Sequence, residues 1–212
     1  MVATLQGAED DGDWKAAYLP VIEGETGPLE TIAGRNVLLL ADVENLYYSA
    51  REWRLTLSFA QLADAVQRCA GEAELHAFFS CQPGDRRQVE AFRAHGWVPH
   101  PNEIETVRSQ GQTRRRANSD NVMLFWGGRL TGRKDFEVVV IGTGDGDLGC
   151  DLAREIVRRD RARSVVTLSV AGCTARRLDA RNNPYIDANL EVGLDCLSKS
   201  TSRAGRGWFP KK

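Results

Sequence analysis

The run Val37-Leu38-Leu39-Leu40-Ala41-Asp42-Val43-Glu44-Asn45 decides how the rest of the chain is read. Apolar residues without polar alternation describe a strand buried on both faces, as in parallel sheets covered by helices on each side. This one ends in Asp42, which the apolar run carries to the edge of a buried sheet. A second strand of the same kind, Phe136–Gly142, runs into Thr143-Gly144-Asp145-Gly146-Asp147. In open α/β sheets, ligands bind beyond the carboxyl ends of the strands, where strand order reverses. Chemistry is therefore expected at these two ends.

Outward from Val37, strand-like runs alternate with helical patterns. Val37–Asp42 is followed by a helical Ser58–Cys69, Glu74–Ser80 by Arg86–His95, and Trp97–His100 reads as a weaker third strand. The polar stretch Asn102–Arg116 is long enough to be expected as a mobile functional loop. After it, a helix Ser119–Leu130 precedes the strand Phe136–Gly142, and a helix Asp147–Arg159 precedes the strand Ser164–Val170. Thr174–Ala180 and Ile186–Cys196 also read as helical. The fold class is α/β, with a mainly parallel sheet between helices.

The chain has 212 residues, 42% hydrophobic and 27% charged, enough for one core without a metal staple or disulfide frame. Its apolar runs fall far short of the roughly 20 residues that span a bilayer, so no membrane association is expected. Cysteines 69, 81, 150, 173 and 196 are odd in number and form no C-x-x-C pair, which favours reduced thiols. Residues 1–30 carry seven acids against Lys15 and lack the basic-then-apolar order of a leader, so a cytoplasmic location is expected. Residues 198–212 carry five basic residues and no acid. The organisation read from these shifts is an acidic extension 1–34, a folded domain 35–197 and a basic tail 198–212, with both ends expected to be mobile. Arginines cluster at Arg114, Arg115 and Arg116, and the planar guanidinium fork suits phosphate. A solvated loop is the plainer reading of the same cluster.

If the two acid-tipped strands are neighbours, Asp42, Asp120 at the next helix start, Asp145 and Asp147 converge in one cleft. Two carboxylates about 4 Å apart repel by about 4 kcal/mol at an effective dielectric near 20, so such a cluster takes up protons or binds a cation. Oxygen ligands without His or Cys favour Mg²⁺ or Mn²⁺, which points to metal-assisted phosphodiester hydrolysis. The alternative for Asp120, Asp145 and Asp147 is helix capping, which is the better reading of any one of them alone.

The strand ending Asp42-x-x-Asn45, the lone helix-opening Asp120, and Thr143-Gly144-Asp145-Gly146-Asp147-Leu148 after an apolar strand together resemble the NYN domains, a branch of the PIN-like ribonucleases. The resemblance covers roughly residues 35–195. It implies a three-layer α/β/α fold with a five-stranded sheet of order 3-2-1-4-5, and metal-dependent endonucleolytic cleavage of RNA, single-stranded by preference. It also implies that Asp42, Asp120 and Asp145 hold Mg²⁺ or Mn²⁺, with Asp147 supporting the metal directly or through water. Asn45 would orient Asp42 or a substrate phosphate, and Thr143 would back the site through its hydroxyl. Arg114, Arg115 and Arg116 would contact RNA, and a homodimer is left open. Many members carry a further acid about two turns into the helix, whereas Asn121–Thr131 contain none and Trp126 stands in that neighbourhood. That departure keeps a second expectation alive: an RNA-binding or regulatory module that does not cut.

Rival motifs are weaker. Gly144-x-Gly146-x-x-Gly149 has the letters of a dinucleotide fingerprint but puts Asp145 and Asp147 where a pyrophosphate would lie. Gly127–Gly132 followed by Arg133-Lys134 only approximates a phosphate loop. His76, His95 and His100 form no H-E-x-x-H pair, and His100 is left as an ordinary loop residue or a substrate contact.

Overall fold

The computed structural model describes residues 29–109, 112–116, 119–133 and 135–200, with the backbone alone at residues 29, 30, 107–109 and 112–116. The expectations for the mobile ends at 1–28 and 201–212 lie outside the described residues.

Strand β1 (Asn36–Asp42) lies at the centre of a six-stranded sheet with β3 (Glu72–Cys81), β4 (Trp97–Glu103), β7 (Val138–Gly142), β8 (Ser164–Ser169) and β9 (Ala188–Glu191). The order is β4-β3-β1-β7-β8-β9 and every pairing is parallel. Among the described residues five helices accompany it: α1 (Val43–Glu52), α2 (Phe59–Cys69), α3 (Arg87–Ala94), α4 (Ser119–Leu130) and α5 (Gly146–Arg159).

The pleat of β1 sorts the core into two. Val37, Leu39 and Ala41 pack with Leu46 and Ala50 of α1, Leu62 and Val66 of α2 and Phe92 of α3. Leu38 and Leu40 pack on the other face with Met123 of α4 and Leu148, Leu152 and Ile156 of α5. Gly127 lets α4 approach the sheet closely, since a Cβ there would lie 3.0 Å from a Leu152 methyl and 3.2 Å from one of Leu40. A short antiparallel pair, β2 (Leu55–Leu57) with β10 (Leu197–Lys199), closes the side of the first core.

Several expectations need correction. The expected sheet of five strands in the order 3-2-1-4-5 is replaced by six, because Ala188–Glu191, read as part of a helix, pairs with the edge of β8. Side-chain bonding explains the switch: Asn189 Nδ2 donates to Thr167 Oγ1 at 2.6 Å and to the Leu178 carbonyl at 2.7 Å, while its Oδ1 accepts from Ala180 N–H at 2.8 Å. Thr174–Ala180 gives only a 3-10 turn at Arg176–Leu178. The expected loop Asn102–Arg116 is instead the end of β4 and an antiparallel ribbon, β5 (Glu105–Ser109) with β6 (Gln112–Arg116). The register pairs Glu105 with Arg116 and Thr106 with Arg115. Beside the expected bounds 35 and 197, Ile32 is fully buried, and Ser198 and Lys199 pair with β2.

Edge strand β4 carries Pro99 and Pro101, two residues apart and so facing alike, and prolines are tolerated in a sheet where the missing N–H faces outward. The five cysteines are free, and among the described residues no helix is long and apolar enough to cross a membrane.

Candidate active site

From β1 the chain proceeds to β3 and β4 on one side of the sheet and then crosses to β7 on the other, so strand order reverses between β1 and β7. Ala41 is the last β1 residue in register with β7, opposite Gly142, which sets Asp42 and Thr143 side by side beyond the paired strands. Alternation from Leu38 and Leu40 turns Asp42 toward the α4 and α5 face, and it is only 5% exposed.

Asp42 has two tasks. As N-cap of α1, its Oδ1 accepts from Asn45 N–H at 3.1 Å, and its Oδ2 accepts from the Thr143 hydroxyl at 3.4 Å. Asn45 in turn reaches across, its Oδ1 accepting from Gly144 N–H at 2.7 Å. Thr143 Oγ1 accepts from Asp145 N–H at 3.1 Å. The two strand ends are therefore joined by reciprocal bonds. Gly144 is required there, because a Cβ would stand 2.4 Å from the Cys173 carbonyl oxygen.

Burial pushes the Asp42 carboxyl up to about 7, opposed by the bond from Asn45 and reinforced by the carboxylates of Asp120 and Glu44. Glu44 is an acid of the site that the sequence reading did not assign. Its Oε1 accepts from Ser80 N–H at 2.9 Å, so it lies at the carboxyl end of β3. Its position two residues after Asp42, at the start of the same helix, is the signal that could have found it.

The remaining expected acids are placed differently. Asp145 is the N-cap of α5, with Oδ1 accepting from Asp147 N–H at 2.8 Å and Leu148 N–H at 3.3 Å. The exposed Asp147 pairs with Arg177. The structure thus brings Asp42 under the fields of Asp120 and Glu44, joins it to Thr143 and Asn45, and directs Asp145 into its helix and Asp147 toward an arginine. Among the described residues no three His, Cys, Asp or Glu side chains form a group that could hold a metal ion. Helix N–H groups and the Arg177 guanidinium are the competitors that hold Asp145 and Asp147 where they are. Arg114, Arg115 and Arg116 lie on β6, and their side chains are outside the described residues.

His100 is a strand residue of β4, not a loop residue. Its Nε2 lies 2.7 Å from His76 Nδ1, and His76 Nε2 lies 2.8 Å from Glu74 Oε1. Burial, then the neighbouring His76, holds the His100 imidazole down at about 4, so it is neutral at physiological pH.

No family model matches the chain, and no curated protein does. Among solved structures, a protein of unknown function from Vibrio parahaemolyticus superposes with a TM-score of 0.61 at 21% identity, covering 78% of this chain and 97% of that one. At that identity the likeness concerns the fold. MurG of Acinetobacter baumannii superposes with a TM-score of 0.40 at 14% identity, covering 76% of this chain and 42% of that one.

Proposed function

We propose that this chain is an NYN-type member of the PIN-like ribonucleases, with their three-layer fold, and that it hydrolyses phosphodiester bonds in RNA with Mg²⁺ or Mn²⁺. One observation carries the reading: a nearly buried carboxyl, Asp42, stands at the point where strand order reverses, under the fields of two further acids. Ligand sites of open α/β sheets form at that point. The acids about Asp42 offer oxygen alone, the ligand type a hard cation takes, and they would have to draw together for a cation to replace the proton of the buried one. Asp42 and Asp120 would hold it, with Glu44 beside them, and Asp145 would join only by leaving its cap.

When bound, a divalent cation supplies charge that polarises a phosphoryl oxygen and acidifies a water. The chain's own residues set the frame. Asn45 N–H and the Thr143 hydroxyl fix the two oxygens of Asp42, Asn45 Oδ1 holds Gly144, and Thr143 Oγ1 holds the backbone that presents Asp145. Asp42, poised near neutrality, can keep or release a proton at Oδ2 as substrate and cation arrive.

A second reading, an RNA-binding module that does not cut, is favoured by the helix-capping Asp145 and by α4, which carries no acid after Asp120. Purified protein incubated with mixed RNA and DNA, in Mn²⁺, Mg²⁺ or chelator, separates the two. RNA cutting that requires metal and falls roughly a hundredfold in Asp120→Asn is the expected result, since removing one charge-stabilising group costs about that much. Retention of RNA without cutting selects the binding module; neither behaviour overturns both.

Arginine contact with the strand has its own signature. Replacing Arg114, Arg115 and Arg116 together with Ala is expected to lower the slope of log affinity against log salt by about 2, at about 0.7 per phosphate on single strands. An unchanged slope returns these residues to the solvated surface.

A further inference from the structure

Helix α4 is apolar around its circumference. Val122-Met123-Leu124-Phe125-Trp126 spans more than one turn, so burying Met123 against the sheet forces other members of the run outward. Phe125 is 58% and Trp126 37% exposed. Trp126 rests on His100, ring centres 5.1 Å apart, and Phe125 meets Trp126 edge to face at 5.7 Å. His100 is itself held by His76 and stacked on Phe78 at 4.5 Å, so the platform beneath Trp126 is fixed before anything binds.

Arg129, one turn further on, places its guanidinium 5.7 Å from the Phe125 ring centre and 5.5 Å from that of Trp126. Among the described residues it makes no ion pair, in contrast to Arg158 and Arg159, which both bind Glu155. Beside it a groove of about 480 Å³ between α4 and α5 is lined by Leu124, Phe125, Gly128, Arg129, Glu155 and Arg159.

We infer that Phe125, Trp126 and Arg129 form a shelf for unpaired nucleobases of the RNA strand whose phosphodiester lies at Asp42. The inference rests on the RNA reading above and adds to it a site that holds the bases. Position sets the path: Phe125 and Arg129 lie five and nine residues beyond Asp120, about 8 and 14 Å along the axis and turned by about 140° and 180° from it, so a strand reaches them by crossing the solvent side of the helix. Chemistry supports the inference. Aromatic faces hold bases without regard to sequence, and a guanidinium over those faces holds the linking phosphate. A second copy of this chain is the competing occupant of an apolar helix face. A nucleotide brings its own anion to Arg129, whereas Glu155, the acid lining the same groove, is already held by Arg158 and Arg159 and so offers little to an Arg129 of a second copy.

The test is binding in chelator, which separates it from cleavage. A single-stranded oligoadenylate and a duplex RNA of equal length are titrated against wild type, Phe125→Ala, Arg129→Gln and the double variant, with thermal midpoints measured alongside. Phe125 is chosen because its exposure leaves the fold intact; Trp126→Phe serves to assign fluorescence quenching to that ring. The expected result is roughly tenfold weaker single-strand binding in the double variant, duplex affinity unchanged and midpoints unchanged. Unaltered single-strand affinity overturns the shelf while leaving the Asp42 site standing, as does equal weakening on the duplex. A dimer that Phe125→Ala dissociates also overturns it, by assigning the face to a second copy. Failure of all RNA binding in wild type overturns the RNA reading itself.

Discussion

Asp42→Asn is expected to abolish metal-dependent cutting and to make the metal-free protein more stable at pH 8. The sign follows from the direction of the shift. The folded carboxyl titrates at about 7 against 3.8 for an ordinary aspartate, so between those values the native chain keeps a proton that the unfolded chain has lost. The contribution of Asp42 to stability is therefore full below about pH 4, declines as pH rises through that window, and above 7 has become a penalty of up to about 4 kcal/mol. An amide carries no charge to bury. Its oxygen still accepts from Asn45 N–H, and asparagine caps a helix as well as aspartate does. Toward Thr143 the bond reverses, with the amide donating to a hydroxyl that must find another acceptor, which offsets part of the gain. At about 2–4 °C per kcal/mol for a chain of this size, the midpoint at pH 8 should rise by several degrees, while at pH 4 the two proteins should melt alike. Mn²⁺ should raise the wild-type midpoint, more at pH 8 than at pH 6 because less proton must be displaced, and should leave the variant unmoved. Melts across pH with and without metal read all of this. A variant equally destabilised at both pH values, still cutting and still responding to Mn²⁺, would remove Asp42 from the site.

The same residue shows how far a sequence can be read. The run Val37–Ala41 marks a strand buried on both faces because nothing in it alternates, and Asp42 at its end is an exception that only a structural or chemical need explains. Thr143 and Asn45 follow from the same logic, as polar residues just beyond two such strands, and the structure joins them by hydrogen bonds. What the pattern conceals is competition among partners. Asp145 and Asp147 are spaced as well for a metal as for the first turn of a helix, and the choice depends on Arg177, thirty residues away in sequence, and on free N–H groups of α5. Ala188–Glu191 illustrates the converse. Ala188, Leu190 and Glu191 are good helix formers, and the open edge of β8 together with the three bonds of Asn189 makes the segment a strand, an effect no local window contains. The ribbon 105–116 was legible in principle, since Gln110-Gly111 separates two segments that pair Glu105 with Arg116, but its polarity reads first as loop. Helix α1 goes unread for a different reason: it follows its strand without a connecting loop, Asp42 serving as both strand end and N-cap.

That economy of connection makes Gly144 the most sensitive backbone position of the site, and Gly144→Ala is expected to be the most damaging single methyl that could be added there. The added Cβ would lie 2.4 Å from the Cys173 carbonyl oxygen and 3.3 Å from Asn45 Oδ1. The first contact is to main chain, and Gly144 is held to that segment by its own carbonyl, which accepts from Ala175 N–H at 3.1 Å. Neither side can yield without breaking a bond. Retreat of the strand end would also part Gly144 N–H from Asn45 Oδ1, leaving a half-buried amide without its acceptor. Overpacking of about 1–3 kcal/mol and a lost hydrogen bond of about 1 kcal/mol give an expected destabilisation of about 3 kcal/mol. Cutting by the folded protein should also fall, roughly a hundredfold, because Thr143 and Asp145 move with Gly144 and displacement of about 1 Å at a reacting centre has that effect. Gly146→Ala is the control two residues away. Its Cβ would meet Arg177 Cγ and Cδ at 2.8 Å and the Ala175 Cβ at 3.1 Å, so the Arg177 side chain, which pairs with Asp147, must shift, but no main chain stands in the way and alanine is favoured at this first helical position. Urea unfolding of the two variants should therefore show a large loss for position 144 and a smaller one, of about 1 kcal/mol, for position 146. Equal, small effects at both positions would mean that the β7 end and the Cys173 turn do not approach as closely as the bond from Ala175 N–H to the Gly144 carbonyl requires.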